Sequence, residues 1–491
     1  MGIFSFIKNE KSGEVTRDLR YYSQIIGNWL GSAERKEMLL AKDYYDGKHA
    51  ILERERMVMN EAGTLSPVYN LPNNRLVDNQ YRKLVDQKTN FALGKPMTIA
   101  TSNETYLEEL NKIFDKKMFR LLRALGKEAI NGSIAWLYPY YNENGDFKVK
   151  IFPSYEVMPI WTDSSHTELS EAIRVYSDSI IQKNGTLKDV SIVEIYSKDG
   201  IDRYIYEDKG LRPHNDEPHT DYMAVNEEAF NWDRLPIIPF KYNADEIPLI
   251  RNVRTLQDAL NQVLSDFMNN MEEDPRTTIL VLKNYDGTNL AEFRRNLATY
   301  GVVKVHTVDG VQGGVETLKV EVNAQNYQAI LMQLKRAIVE NGRGFDAKEE
   351  RMDGDPNQMN IESMYTDIDL DVNQMETEFQ AGFEELKWFI DKHLAHIGKG
   401  DFSEDNIEFI FNRDIFINEN AIIDNCVKSM GLLSTQTIVS HHPWVADLQH
   451  ELQQIEEDKE AELEEMETTM AIQAQNAPKT GSQKPKAGGD K

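Results

Sequence analysis

Cysteine and long apolar runs are almost absent from this sequence, and each shortage excludes a class of protein. Cys426 is the single cysteine in 491 residues, so the chain cannot form an internal disulfide. We expect Cys426 to be a small buried residue in a protein that assembles in a reducing, cytosolic setting. No apolar run approaches the roughly eighteen residues that a membrane-spanning helix needs, so no membrane role is predicted. The apolar start after Gly2 is too short for a signal-peptide core, and Phe6 stands where a myristoylation signal requires serine or threonine.

Basic residues are also scarce. The chain carries 55 lysines and arginines against 81 aspartates and glutamates, which gives a net charge of −26. Tight non-specific DNA binding depends on basic patches that neutralise phosphates, and this composition argues against it. An acidic wall softened by a few basic residues would instead let DNA slide, because it offers no deep electrostatic well. Acidity is equally common among soluble proteins, so the charge alone indicates no function.

Motifs that bind phosphates or dinucleotides are missing as well. The chain has neither a GxxxxGK[ST] loop nor a GxGxxG fingerprint, so we do not expect it to be an ATP-driven motor. Three histidine pairs lack the further ligands that a metal site needs, and we expect them to be structural: His214 with His219, His393 with His396, and His441 with His442. The sequence therefore predicts no catalytic residue, no metal and no cofactor.

One acidic stretch, DIDLDVNQMETE, imitates a calcium loop. Asp367, Asp369, Asp371 and Glu378 match the first, third, fifth and twelfth positions of that motif. Val372, however, occupies the sixth position, where the sharp turn of the loop requires glycine. The stretch also continues a helical pattern, so we interpret it as an acidic helix.

The first half of the chain predicts a mixed α+β structure. Ser32 is a good N-cap for a helix that runs to about Asp46. A second helix is predicted from Asn74, and a third over roughly Glu104 to Leu125. The two strand-like runs SIAWLYPYY and FKVKIFP flank a short Asn-Gly-containing turn, which predicts a hairpin.

The second half predicts two helices around an insert. The helices are Arg251–Asp274 and Asn323–Gly342, and the insert has strand, helix and turn signals. A loop rich in charge, glycine and aspartate follows, with Gly342 and Gly344 as its expected hinge. Next comes a long helix over about Ser363 to Leu394. A strand pair (IEFIF and DIFIN), two or more C-terminal helices and a disordered tail from about Ala474 complete the prediction.

Five stretches, taken in order, carry a family resemblance. They are YYDGKH from Tyr44, NNRLVDNQYRKLVDQKTNFALGKP from Asn73, NGSIAWLYPYYNENGDFKVKIFPSYEVMPIW from Asn131, NIESMYTDIDLDVNQMETEF from Asn360 and GLLSTQTIVSHHPWVADLQHELQQIEEDKE from Gly431. The chain resembles the portal proteins of tailed phages, especially of siphophages that infect Gram-positive hosts. The likeness spans roughly residues 20–470, and its specificity comes from the order of the stretches, because none of them is unique.

The resemblance implies a regional plan and a set of partners. The regions would be a wing (1–250), a first stem helix (251–274), a clip (275–322), a second stem helix (323–342), a tunnel loop (343–362), a long wing helix with the strand pair (363–417), a helical crown (418–473) and a disordered tail (474–491). Family members form dodecameric rings at one capsid vertex, through which double-stranded DNA is packaged and ejected. The expected partners are terminase, head-completion or adaptor proteins, and the major capsid and scaffold proteins. The expected location is the virion, after assembly in the host cytoplasm.

Two groups of site residues follow from position within this plan. Candidates for the DNA channel are Lys335, Arg336, Arg343, Lys348, Glu349, Glu350, Arg351 and Gln358. Candidates for terminase or adaptor binding in the clip are Tyr285, Asp286, Arg294, Arg295 and Asp309. The scattered basic residues are equally well explained as a solvated helix face.

Two other functions remain open. Another capsid-associated protein, such as a scaffold or head–tail adaptor, is the first, although scaffolds are mostly helical and adaptors usually shorter. A metal-dependent nuclease built on the aspartate-rich stretch is the second. Such a nuclease would need convergent carboxylates on strands or a kinked loop, whereas these carboxylates follow a helical pattern.

Overall fold

A computed structural model describes most of the chain. The described residues are 18–59, 63–69, 71–181, 186–225, 228–273, 279–283, 314–318, 324–346, 358–413, 419–440, 442–445, 451–459 and 461. The chain divides into two compact units, one of Met1–Asp346 with Tyr365–Asp414 and one of Ala347–Met364 with Ile415–Lys491. Helices and strands both contribute to the fold, so the predicted α+β class is confirmed.

The helices alternate with strand-rich regions along the chain. They are α1 (Leu19–Leu30), α2 (Ala33–Tyr45), α3 (Gln80–Leu93), α4 (Glu104–Ile113), α5 (Lys116–Gly132), α6 (Ile250–Glu273), α7 (Ala324–Asn341), α8 (Gln358–His396), α9 (Glu419–Lys428) and α10 (Thr435–Ser440). Short 3-10 turns lie at Ala50–Glu53 and Ser154–Glu156.

The strands form several small antiparallel sheets and one larger one. They are β1 (Met57–Met59), β2 (Leu65–Pro67), β3 (Thr98–Ala100), β4 (Ile134–Tyr141), β5 (Phe147–Phe152), β6 (Val157–Trp161), β7 (Leu169–Ile181), β8 (Leu187–Ser197), β9 (Gly200–Glu207), β10 (Gly210–Pro213), β11 (His219–Thr220), β12 (Met223–Val225), β13 (Glu228–Phe230), β14 (Ile238–Lys241), β15 (Ile279–Lys283), β16 (Gly314–Leu318) and β17 (Glu408–Ile410). The larger sheet has the order β10-β9-β8-β7-β6, with β11 also on β9, and a second sheet has the order β14-β4-β5.

The predicted hairpin is the β4–β5 pair. Trp136 pairs with Phe152 at one end and Tyr141 with Phe147 at the other. Between them Asn142 donates its backbone N–H to the carbonyl of Asp146 at 3.0 Å, which closes the turn. On β5 the partly buried Phe147, Val149 and Ile151 alternate with the exposed Lys148 and Lys150, which fits a sheet that is packed on one face.

The main core is formed by residues of α2 to α6, of β4 and β14, and of one side of α8. Apolar residues recur on α8 at three- and four-residue spacing, as the amphipathic pattern predicts. Those that are buried are Ile368, Val372, Met375, Phe379, Phe383, Leu386, Phe389, Ile390 and Leu394. A smaller core forms where α1 places Tyr22 and Ile26 against Ile173 and Ile195 of the larger sheet.

The predicted helix over Glu104 to Leu125 is wrong as a single element. The helix α4 ends at Ile113, and Phe114 leaves helical geometry with φ −83° and ψ 55°. Asp115 then caps α5, because its carboxylate accepts the backbone N–H groups of Lys117 and Met118, each at 2.9 Å. Asp115 is therefore an N-cap signal that marks the start of a second helix, although the apolar pattern continues across it.

The predicted helix start at Asn74 is also wrong, because residues 74–79 are not helical and α3 begins at Gln80. Four uncharged polar side chains of α6, all buried, accept the backbone N–H groups of this segment. The bonds run from Asn74 to Asn269 at 2.7 Å, from Leu76 to Ser265 at 2.9 Å, from Asp78 to Asn261 at 3.0 Å, and from Gln80 and Tyr81 to Gln257 at 3.0 Å. We call Gln257, Asn261, Ser265 and Asn269 the polar ladder. Its geometry works because four helical residues rise about 6.0 Å, close to the roughly 6.6 Å that two extended residues span.

One prediction about the second half needs correction, and another is tested only in part. The long helix begins at Gln358 rather than Ser363, so the loop before it is shorter than predicted. The run IEFIF contains β17, which pairs with β3, while the DIFIN run proposed as its partner (residues 414–418) lies outside the described residues. Of the insert, the described parts are β15 and β16, which pair with each other.

The second unit contains α9, α10 and a helical segment at residues 451–459. Cys426 on α9 is buried and free, as predicted, with its Sγ 3.9 Å from the carbonyl oxygen of Ile438. The predicted disordered tail from Ala474 lies outside the described residues. Among the helices that the structure describes, none combines the length and apolarity that a membrane span requires.

Candidate functional site

Helices α6 and α7 form an antiparallel pair. Near the end of α6, the Phe267 ring lies 5.0 Å from the Tyr327 ring near the start of α7, and the Asn270 amide donates to the Tyr327 hydroxyl at 2.9 Å. At the opposite end, a Cβ atom on Gly342 would lie 3.3 Å from a methyl group of Val253. The two helices therefore bracket the insert and return the chain to the main core.

The basic residues predicted for the channel on α7 each face a carboxylate. Lys335 is half-exposed, and its Nζ lies 2.7 Å from Asp78. Arg336 is well exposed, with its Nε 2.9 Å from Glu340 one turn later. Because each cation is matched by an anion, the outer side of α7 offers little net positive charge.

The end of α7 is a tight cap, and the two glycines predicted as a hinge are part of it. The backbone N–H of Gly342 donates to Ile338 at 2.9 Å, and that of Gly344 donates to Val339 at 2.8 Å. Arg343 between them adopts a left-handed φ of 47°. Both glycines are buried against Leu84, whose methyl groups would lie 2.5 Å and 2.2 Å from Cβ atoms added to Gly342 and Gly344. The glycines therefore serve close packing.

Gln87 on α3 holds the next residue of the chain. Its side-chain amide donates to the Phe345 carbonyl at 2.5 Å, and its side-chain oxygen accepts the Phe345 N–H at 3.1 Å. The Phe345 ring stacks on Tyr365 of α8 with centroids 4.5 Å apart and planes within 10°. The chain thus leaves α7 and re-enters the core on α8 at one place. We call residues 342–346 and 365–371 the two loop roots.

A buried charge cluster joins these roots. Lys88 is fully buried, and its Nζ donates to the Arg343 carbonyl at 3.0 Å and to the Asp371 carboxylate at 2.5 Å. Burial lowers the pKa of Lys88, and the Asp371 carboxylate opposes that shift. The Tyr242 hydroxyl donates to the same carboxylate at 2.6 Å, and the Arg343 guanidinium lies 3.8 Å from it. We call Lys88, Tyr242, Arg343 and Asp371 the root cluster.

The aspartate-rich stretch belongs to α8, as interpreted from the sequence. Asp371 serves the root cluster, and Asp369 pairs with the Arg413 guanidinium, which also binds Glu376. The carboxylates of Asp369 and Asp371 therefore bind different partners, and each neutralises a cation of the protein itself. Within the described part of the chain, no cluster of three candidate metal ligands occurs.

Most of the other site candidates cannot be compared with the structure. Outside the described residues lie Lys348, Glu349, Glu350 and Arg351 of the predicted tunnel loop, and Tyr285, Asp286, Arg294, Arg295 and Asp309 of the predicted clip. Gln358 is the first residue of α8. Of the channel candidates with described side chains, Arg343 belongs to the root cluster, while Lys335 and Arg336 lie on α7.

Two signals in the sequence point to the root cluster and to the polar ladder. Lys88 falls four residues after Leu84 and three after Val85, which places a lysine on the apolar face of α3. The polar ladder repeats every fourth residue of α6, beside its apolar stripe. A polar group on the buried side of a helix needs a partner inside the protein, so both patterns indicated internal anchoring.

Comparison with known proteins identifies the class to which this fold belongs. The family model described as phage portal protein, SPP1 Gp6-like, matches residues 31–465. The portal protein of Bacillus phage SPP1 is 30% identical over 420 residues, which cover 84% of this chain and 82% of that protein. The portal protein of Clostridium phage phiCD119 is 28% identical over 429 residues, covering 85% and 91% of the two chains.

The chain thus belongs to a class of phage structural proteins of the head–tail connector type. The chain belongs to the SPP1 Gp6-like family of phage portal proteins, as the resemblance in its sequence predicted.

Proposed function

We propose that this chain is the subunit of a dodecameric ring at one capsid vertex, with a central channel for double-stranded DNA. DNA enters through this channel during packaging and leaves through it during ejection. The ring docks terminase first and head–tail connector proteins later. The single observation that supports this most strongly is the antiparallel α6–α7 pair, which brackets an insert and leads into a loop with firmly anchored roots.

The proposed regions keep the sequence-based plan with the helix bounds given above. The wing comprises residues 1–250 with the long helix α8 and the strands after it, the stem is α6 with α7, and the clip is the insert between them. The tunnel loop follows α7, and the crown lies in residues 418–473. The clip contacts terminase and adaptors, and the wing and crown face capsid and scaffold proteins. The assembled protein is a virion component made in the host cytoplasm.

The surface of α7 supports side-by-side packing of subunits. All residues of α7 are described, and Ile338 alone is buried. Leu331 and Leu334 pack against the core, whereas Ile330 and Met332 on other sides of the helix are exposed by 46% and 60%. A helix with apolar residues on more than one face fits a symmetric assembly that covers the second face.

The paired charges support sliding of DNA rather than gripping. With Lys335 and Arg336 matched by Asp78 and Glu340, α7 attracts phosphates only weakly. Residual attraction would be screened within about 8 Å at physiological salt. A channel wall of this kind would guide DNA without holding it at one register.

The test combines imaging with packaging. We expect negative-stain class averages of the purified protein to show rings of about a dozen subunits with a central channel. Charge reversals Lys335→Glu, Arg336→Glu, Lys348→Glu and Arg351→Glu should each lower the nuclease-protected DNA per head, whereas Lys83→Glu, on the exposed side of α3, should not. Unaltered DNA content in all four variants would remove these residues from the channel. Failure to form rings in heads as well as in solution would overturn the proposal itself.

The two alternative functions receive no comparable support. Membership of the portal family argues against a scaffold or adaptor, and the family consists of structural proteins. A nuclease would need carboxylates that converge on a metal, whereas Asp369 and Asp371 pair with Arg413 and Lys88. Divalent-dependent DNA cleavage by the pure protein would restore that alternative.

A further inference from the structure

We infer that Lys88 is a positioning residue for the proposed tunnel loop, and that DNA packaging depends on the geometry it imposes. Its single ammonium holds the Arg343 carbonyl, where the chain leaves α7, and the Asp371 carboxylate, which lies in the body of α8, well after the helix starts at Gln358. The start of the loop is thereby tied to α3 and, through Asp371, to α8. This inference rests on the proposed function, because it assigns a role to a loop that the proposal places in the DNA channel.

The energetics of the cluster favour a positioning role over a purely stabilising one. Removing a lysine from water is costly, and the burial-driven fall in the pKa of Lys88 reflects that cost. Well-packed apolar residues in place of a buried ion pair are often neutral or stabilising, so stability alone does not require this pair. What apolar residues cannot do is bind a particular backbone carbonyl and a particular carboxylate at the same time.

Neighbouring contacts act on the same segment. Gln87, the residue before Lys88, binds both the N–H and the carbonyl of Phe345. Phe345 stacks on Tyr365, whose ring in turn lies 5.8 Å from the Phe91 ring of α3. Two consecutive residues of α3 therefore fix residues 343 and 345, and α3 itself is part of the main core. A force on the loop would be transmitted to the core through α3.

Loss of Lys88 alone has a defined structural consequence. Asp371 would remain buried, and the Arg343 guanidinium, now 3.8 Å away and 54% exposed, is the nearest replacement partner. Moving the Arg343 side chain inward would strain the left-handed backbone of Arg343. The carbonyl of the same residue would also have lost its hydrogen bond to Lys88. The root after α7 would shift while the rest of the core keeps its packing.

The decisive variant removes the bridge without leaving a buried charge. Lys88→Met, Asp371→Leu and Tyr242→Phe are combined, so that the three buried members of the cluster become apolar at nearly constant volume, while Arg343, whose side chain is 54% exposed, is kept. Lys83→Met, at an exposed position of the same helix, is the matched control. The full-length proteins are compared for thermal midpoint, ring formation, hydrogen exchange at the amides of Gly344 and Phe345, and nuclease-protected DNA per head.

We expect the triple variant to form rings with a midpoint near that of the wild type. Exchange at the two root amides should rise by about ten-fold, and DNA-filled heads should fall by about ten-fold, because functional groups tolerate displacements of only about 0.5 Å. Normal packaging by the triple variant, or unchanged exchange at the roots, would overturn the inference. A triple variant that does not fold would assign the cluster to stability and would also overturn it. If the wild-type protein forms no rings and supports no packaging, the proposed function fails. If the wild type packages DNA and the triple variant packages it equally well, only the role of Lys88 fails.

Discussion

Asn261 accepts the backbone N–H of Asp78 at 3.0 Å, and this bond joins the middle of the polar ladder to a non-helical segment far away in the chain. The other side-chain atom of Asn261, its amide nitrogen, lies 2.8 Å from Nδ1 of His49. The residue thus satisfies two buried groups on two different segments. The ladder fixes α6 through hydrogen bonds, in addition to the apolar contacts that Val253 and Leu260 make with the main core.

Replacing this asparagine should be costly although leucine has a similar volume. Asn261→Leu leaves the Asp78 N–H and the His49 ring nitrogen without a partner in a buried place, and we expect about 2–4 kcal/mol of lost stability. The shift of the thermal or urea midpoint at fixed protein concentration measures this effect. Gln262→Leu, at the exposed neighbouring position of α6, is the control and should change stability by less than about 0.5 kcal/mol. Equal midpoints for the two variants would contradict the importance of the ladder.

The same contacts predict a dependence of stability on pH. Burial lowers the pKa of His49 below its ordinary value of 6.5, and His49 is held neutral, with Nδ1 accepting from Asn261 and Nε2 donating to the Tyr44 carbonyl at 3.0 Å. Below pH 6.5 the unfolded chain binds a proton that the folded chain resists. Stability contributed by His49 is therefore present at pH 7 and is lost as the pH falls from about 6.5 toward the lower folded pKa.

A comparison with His49→Gln isolates this contribution. We expect the thermal midpoint of the wild type to fall more steeply between pH 7 and pH 5 than that of the variant. His393, whose pKa burial also lowers, contributes in the same direction in both proteins, so the difference between their slopes reports on His49. Parallel slopes would show that His49 does not resist protonation in the folded protein.

Local signals explain which parts of the fold the sequence predicts well. The β4–β5 hairpin depends on a turn and alternating strands within a few residues of each other, and α2 begins after the cap Ser32, which accepts the Arg35 N–H at 3.1 Å. The bounds of α6 follow from its own apolar stripe. In each case the residues that decide the structure are neighbours in the sequence.

The errors arise where the deciding partner is distant. Residues 74–79 have the pattern of a helix, but their N–H groups bind side chains of α6, and Asp78 is 183 positions from its partner Asn261. Lys88 is 255 positions from Arg343 and 283 from Asp371. Tertiary hydrogen bonds overrode local propensity in the first case. In the second, no spacing rule could have paired the lysine with its partners.

The break between α4 and α5 yields a further prediction. Asp115→Ala removes the carboxylate that accepts the N–H groups of Lys117 and Met118, and we expect a loss of about 1 kcal/mol. Asp115→Asn keeps a capping oxygen and should retain most of the stability. Chemical unfolding of the three proteins, followed by far-UV circular dichroism, measures the difference. A wild-type midpoint for the alanine variant would mean that the helix start is set by packing alone.

The cap after α7 gives the last prediction, which separates a packing glycine from a hinge glycine. A Cβ atom on Gly344 would lie 2.2 Å from a methyl group of Leu84, so Gly344→Ala should destabilise the protein by about 1–3 kcal/mol through overpacking. Leu84→Ala alone creates a cavity and should cost about 2–5 kcal/mol. Because the new methyl group partly fills that cavity, the double variant should be more stable than the sum of the two single losses predicts. This double-mutant cycle is measured by thermal unfolding. Additive losses would show that the two residues do not meet, and the hinge that the sequence predicts at Gly344 would then be the better explanation.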